Sequence, residues 1–129
     1  MTADREAIRV ELPAHPDFLR IARLNVTAYG AHLDLDVEQL DDLRLAVNEA
    51  VTWMIDDPTP SARMVIMIHR EGAEIVVTGG PEAGDPDAAS LPHQTSAVDE
   101  LIAAILGATV DDFWLDARTP RRFQLRKRG

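Results

Sequence analysis

Apolar and polar residues alternate over residues 7–12 (AIRVEL), which predicts a half-buried first strand ended by Pro13. The period then changes. Phe18, Ile21, Ala22, Asn25 and Ala28 recur at helical spacing and predict a helix over about residues 16–29, with Gly30 suited to its C-terminal cap. A second helix has sharper punctuation. Asp36 with Gln39 three residues on resembles a capping box, and Glu38, Asp41 and Asp42 favour the positive end of the helix dipole. Leu40, Leu43, Val47, Ala50, Val51 and Met54 form a continuous apolar stripe to about Ile55, where DDPTP breaks the helix. Two β-branched runs, residues 64–70 (MVIMIHR) and 73–79 (AEIVVTG), predict a hairpin, with Gly72 able to take positive φ in a tight turn. Residues 79–92 carry several Pro and Gly punctuators and read as a long irregular loop. A third helix capped by Thr95 or Ser96 and running to about Leu106, then strands over 109–115 and 121–126, complete the pattern. This β-α-α-β-β-loop-α-β-β order predicts an α+β two-layer sandwich, with one mostly antiparallel sheet and about three helices on one face. A length of 129 residues with 46% hydrophobic content suits one domain spanning residues 1–129.

Charge changes the picture only at the chain's end. All 22 acidic residues lie at or before Asp116, whereas six of the 13 basic ones fall in the final ARTPRRFQLRKRG, so the body up to Ala117 carries 7 − 22 = −15. Such a body repels nucleic acid and favours basic partners. The basic tail alternates with Phe123 and Leu125 on one face and has no aromatic stacking platform. It is expected to be a solvated edge strand protected by charge, with no direct nucleic-acid role. The absence of cysteine excludes disulfides and thiolate metal sites. The four histidines are too scattered for a metal centre. With charges where a signal peptide needs an apolar run, and no stretch of about 20 apolar residues, the expectation is a cytoplasmic protein off the membrane.

The chemistry concentrates in the second helix, where Glu49 and Trp53 stand four residues apart and so share a face. Residues 42–55, DLRLAVNEAVTWMI, resemble the helix that carries the conserved Glu and Asn of the GHKL (histidine-kinase-like) ATPase fold. The form is that of the anti-sigma-factor serine kinases of the sporulation and general-stress type, whose pattern runs close to D-L-K-x-A-V-x-E-A-x-T-N-A-I. Asp42, Leu43, Arg44, Ala46, Val47, Glu49, Ala50, Thr52 and Ile55 carry the match, and the first helix, DFLRIAR, is also similar. The resemblance implies a small protein, commonly a dimer, that sequesters a sigma factor and phosphorylates a STAS-type anti-anti-sigma factor on serine, using ATP and Mg2+. It also implies a partner-binding arginine on the first helix, which places Arg20, with Arg23 beside it, on the contact surface; without it Arg20 is simply a solvated helix residue.

The sequence departs from the family pattern where that pattern binds nucleotide. Glu49 keeps the position that polarises the attacking hydroxyl. Trp53 stands where an Asn gives magnesium a neutral oxygen ligand, and indole offers one N–H donor and no oxygen. In the adenine box, V-x-D-x-G-x-G, the Asp position falls on Thr78 or Gly79 within VVTGGPEAG, and neither supplies a carboxylate. The glycine box before the last helix is replaced by QTSAVDELI, with Ala97 in place of glycine and Asp99 bringing negative charge where phosphates approach. The expectation is a pocket plugged by Trp53, whose burial contributes on the order of 2–3 kcal/mol, leaving Glu49 as a structural carboxylate. The chain then reads as a regulator acting by protein binding, a pseudokinase with no cofactor and no metal. Against it stand an active ATP- and Mg2+-dependent serine kinase with a divergent pocket, and a non-catalytic adaptor with another partner.

Overall fold

The computed structural model describes residues 7–57, 61–81, 97–118 and 120–129. Strand β1 spans Ile8–Pro13, helix α1 Leu19–His32, helix α2 Val37–Ile55, strand β2 Arg63–Glu71, strand β3 Glu74–Pro81, helix α3 Ala97–Thr109, strand β4 Asp112–Asp116 and strand β5 Arg122–Arg128. The strands form one sheet in the order β1-β2-β3-β5-β4, with every neighbouring pair antiparallel. The architecture is the expected α+β two-layer sandwich.

Register explains which residues meet the helices. Val10 and Leu12 of β1, Met64, Ile66 and Ile68 of β2, Ile75, Val77 and Gly79 of β3, Phe123 and Leu125 of β5, and Phe113 and Leu115 of β4 lie on one face. Most of these are buried or packed against the core, together with Ala22, Val26 and Tyr29 of α1, Leu43 through Met54 on the inner stripe of α2, and Leu106 of α3. The β2–β3 turn has two residues, Gly72 and Ala73, with positive φ at Gly72 alone, the arrangement of a type II′ hairpin.

Helix α2 starts with the predicted capping box. The Gln39 N–H donates to Asp36 Oδ1 at 2.8 Å, and the Asp36 N–H donates to Gln39 Oε1 at 2.9 Å. Helix α1 differs from expectation at both ends. A single 3-10 turn, Pro16–Phe18, capped by His15 Nδ1 accepting from the Asp17 N–H, precedes it, and the helix runs past Gly30 to His32. Gly30 is not the cap. It is buried inside the helix, where a Cβ would press on Leu40, Leu35 and Leu43 at 3.0 to 3.3 Å, so glycine serves the close approach of α1 to α2. The cap falls to Asp34, at φ 64, with Leu35 N–H donating to Gly30 O and Asp34 N–H to Ala31 O. That is a Schellman motif with Asp where glycine is usual.

Two further differences lie toward the C-terminus. Helix α3 continues three residues beyond Leu106, because Val110 N–H still reaches Leu106 O at 2.9 Å and the Thr109 hydroxyl donates to Ile105 O; β4 accordingly begins at Asp112 rather than 109. The basic strand β5 is interior, between β3 and β4, and not an edge. Its charges are matched from within. Arg126 pairs with Glu71 and Glu74, Arg128 with Glu74, and Lys127 donates to Thr109 O at the C-terminus of α3 while lying 3.6 Å from Asp42. The sheet edges are instead β1, with Arg9 and Glu11 facing out and Pro13 at its end, and the five-residue β4.

Candidate functional site

Helix α2 borders two different clefts. At its C-terminal end, Trp53 turns inward and joins the core at 3% exposure, while Glu49, one turn earlier, is half-buried and accepts no hydrogen bond among the described residues. The expected carboxylate–indole pair is therefore split: the ring belongs to the apolar stripe and the carboxylate to its border. Trp53 is covered by Arg121, which the sequence reading did not single out. The guanidinium carbon stands 5.0 Å from the ring centroid, and Nη1 donates to the Trp53 carbonyl at 2.7 Å. The Arg121 backbone N–H donates to the buried carboxylate of Asp57 at 2.8 Å. These contacts satisfy a last-turn carbonyl of α2 and place a cation at the negative end of its dipole. The gap left between the ends of α2 and β3, lined by Met54, Asp57, Gly80, Pro81 and Arg121 among others, is about 10 Å3, too small for more than a water.

Register also separates the two candidate adenine-box positions. Thr78 lies on the sheet face away from the helices, opposite Met67 and Gln124, whereas Gly79 lies on the helix-facing side, opposite Ile66 and Phe123. A side chain at 79 has no room, because a Cβ there would run into Cε2 and Cζ of the fully buried Phe123 ring. Phe123 was expected only as one face of a strand. Its occupation of the space in front of Gly79 needs the strand order, in which β5 and not β4 lies beside β3. Ala97 and Asp99 fall in the first turn of α3, and their side chains, like Gln94 through Ser96, lie outside the described residues.

The second cleft runs between α1 and α2 and has a volume of about 710 Å3. Arg20, Arg23, Leu24 and Thr27 line it from α1, and Asp41, Asp42, Arg44, Leu45 and Asn48 from α2. Arg23 Nη1 donates to Asn48 Oδ1 at 3.0 Å across the helix pair, which holds that guanidinium in place, and Arg44 pairs with Asp41 at 3.1 Å. Leu24 and Leu45 are about half exposed along its walls. The structure thus brings Arg20 and Arg23 together, on a different side of α2 from Trp53. Among the described residues no cluster of His, Cys, Asp or Glu is placed to hold a metal ion, and no helix is long and apolar enough to cross a membrane.

No protein-family model matches the chain. Over 116 residues, 88% of its length, it is 30% identical to the anti-sigma-F factor RsbW of Mycobacterium tuberculosis, in both strain H37Rv and strain CDC 1551. The chain belongs to the anti-sigma-factor serine kinase family. A second relative, the serine-protein kinase RsbW of Halalkalibacterium halodurans, is 28% identical over 86 residues, covering 64% of this chain and 53% of that protein. The chain spans 65% of the length of the Mycobacterium tuberculosis relatives it matches.

Family membership raises the question of Mg2+-ATP, and two described positions bear on it. Trp53 is a buried indole that offers one N–H donor and no oxygen. Gly79 has neither a carboxylate nor space for one in front of the Phe123 ring.

Proposed function

We propose that this family member is an anti-sigma-factor-like regulator that binds a sigma factor, a STAS-type anti-anti-sigma factor, or both, and has lost its ATP site. The observation that carries the reading is the burial of Trp53 beneath Arg121 at the oxygen-ligand position, while the arginine-lined α1–α2 cleft stays open. Binding then rests on contact rather than phosphoryl transfer. Arg20 and Arg23 supply the charged, forked donors of the contact, a residue type enriched among those that dominate protein interfaces, and Leu24 and Leu45 supply apolar area beside them. Glu49, with no nucleotide to act on, serves as a border carboxylate of α2.

The rival within the family is an active serine kinase, favoured by the retained Glu49 and by relatives named as serine-protein kinases. Thermal unfolding with and without ATP and magnesium separates the two. A ligand at 100 times its dissociation constant adds about 2.7 kcal/mol, so a clear upward shift of the wild-type midpoint overturns loss of the site, and no shift supports it. Co-purification with a sigma factor or a STAS-type protein of the same organism tests the partner. Retention of neither favours an adaptor with another partner. Whether residues 1–129 act as one domain, as a dimer, and in the cytoplasm belongs to the same proposal.

A further inference from the structure

Arg121 and Phe123 stand two residues apart at the start of β5, and each meets one of the two positions at which the family's nucleotide chemistry is missing. The Phe123 ring fills the space in front of Gly79, where the adenine carboxylate would project. The Arg121 guanidinium lies over Trp53 and on its carbonyl, where the metal ligand would project. Both are held from outside the cleft. Phe123 pairs with Leu115 of β4 and Gly79 of β3, and Arg121 is fixed by its backbone bond to Asp57. Arg121 Nε is buried without a hydrogen-bond partner among the described residues, which fits a side chain whose place is set by stacking and by its terminal nitrogens.

We infer that Arg121 and Phe123 form an intramolecular occupant of the cleft between α2 and β3. The ring takes the purine end and the guanidinium the cation end, so that the closed arrangement is reached without any nucleotide. This rests on the loss of the ATP site proposed above and assigns its physical cause to β5 as much as to Trp53. Restoring the family's polar residues alone then fails to reopen the cleft, because the occupant stays.

The test compares two full-length variants by binding of a fluorescent ATP analogue with magnesium. One carries Trp53→Asn and Gly79→Asp; the other carries these together with Arg121→Ala and Phe123→Val. The expected result is at least tenfold tighter binding by the second. Affinities within twofold of each other overturn the occupant. Tight binding by the wild type instead defeats the loss of the ATP site, a separate outcome.

Two measurements remain informative where the multiple variants fail to fold. Gly79→Ala is expected to lower the melting temperature much less in a Phe123→Val background than in the wild type, and equal losses in both backgrounds overturn the ring's role. In a Trp114→Phe background, where Trp53 is the sole fluorophore of its kind, Arg121→Ala is expected to raise acrylamide quenching at least twofold. Unchanged quenching overturns the cover by the guanidinium.

Discussion

The two clefts beside α2 are built from the same helix and differ in what the opposing element brings. At the C-terminal end, β5 and the residue before it bring the Phe123 ring against Gly79 and the Arg121 guanidinium over the buried Trp53 indole, and the gap beside Arg121 is about 10 Å3. On the outer side, α1 delivers Arg20, Arg23 and Leu24 against Asp41, Arg44 and Leu45, and about 710 Å3 stays open. Packing consumes the first set of side chains and leaves the second to solvent. One helix thus packs its inward-facing side chains into the core while its outward ones border an open cleft, and under the proposed function that division is how a ligand site is given up while a docking surface is kept.

The strongest way to break the comparison is to remove the plug. Trp53→Ala deletes a 3% exposed indole from the core and is expected to cost about 3–5 kcal/mol by chemical denaturation, with no effect on the α1–α2 surface other than through folding. A loss under about 1 kcal/mol would mean that the ring is not packed as described. The open cleft should behave the opposite way. Arg20→Glu is expected to leave unfolding stability within about 0.5 kcal/mol. It is expected to weaken the sigma factor or STAS partner about tenfold, near 1.4 kcal/mol by calorimetry. A variant that binds as the wild type would remove Arg20 from the contact surface.

Much of this fold was legible because periodicity and punctuation agree locally. The capping box of α2, the Gly72 turn and the order of all eight elements follow from short-range pattern. The differences come from contacts that pattern does not carry. Gly30 reads as a stop signal but serves a helix–helix approach to Leu40 and Leu43, and the basic β5 reads as an edge until its pairing with β3 places Arg126 against Glu71 and Glu74. The site divides in the same way. Trp53 was recognisable as an unsuitable metal ligand from its type alone. Arg121 and Phe123 were not, since their roles depend on a strand more than 40 residues away from Gly79 in sequence lying directly beside it. Arg20 and Arg23 were identified through family likeness, whereas Arg23's anchor, Asn48, is a cross-helix contact between residues 25 apart.

The corner that joins α1 to α2 offers a smaller, stabilising change. Asp34 holds a left-handed conformation between α1 and α2, at a conformational cost that glycine does not carry. Asp34→Gly keeps the two backbone bonds of the Schellman motif and is expected to stabilise the protein by about 0.5 kcal/mol, net of glycine's greater freedom in the unfolded chain. Partner affinity should be unchanged, because the cleft side chains do not move. Lower stability would show that the Asp34 side chain contributes more than its backbone strain removes.

The smallest effect concerns how β5 is pinned at the end opposite Arg121 and Phe123. Arg126 Nη1 lies 2.6 Å from Glu71 Oε2, and that hydrogen bond, with help from His69 3.5 Å away, holds the Glu71 carboxyl below its ordinary value of about 4.3. A lowered carboxyl pKa contributes stability that is present above the unfolded-state value and disappears as the pH falls through the folded-state value; Arg126, raised by the same partner, stays charged throughout that range. Because Glu71 is about half exposed, solvent screening limits the pair to about 0.5 kcal/mol. The wild type should therefore exceed Glu71→Gln in stability by roughly that amount at pH 7, with the difference vanishing as the pH falls through the folded-state value. A difference that persists into acid would assign the anchoring of β5 to packing and to its other partner, Glu74, and would leave the closed cleft independent of charge at this end of the strand.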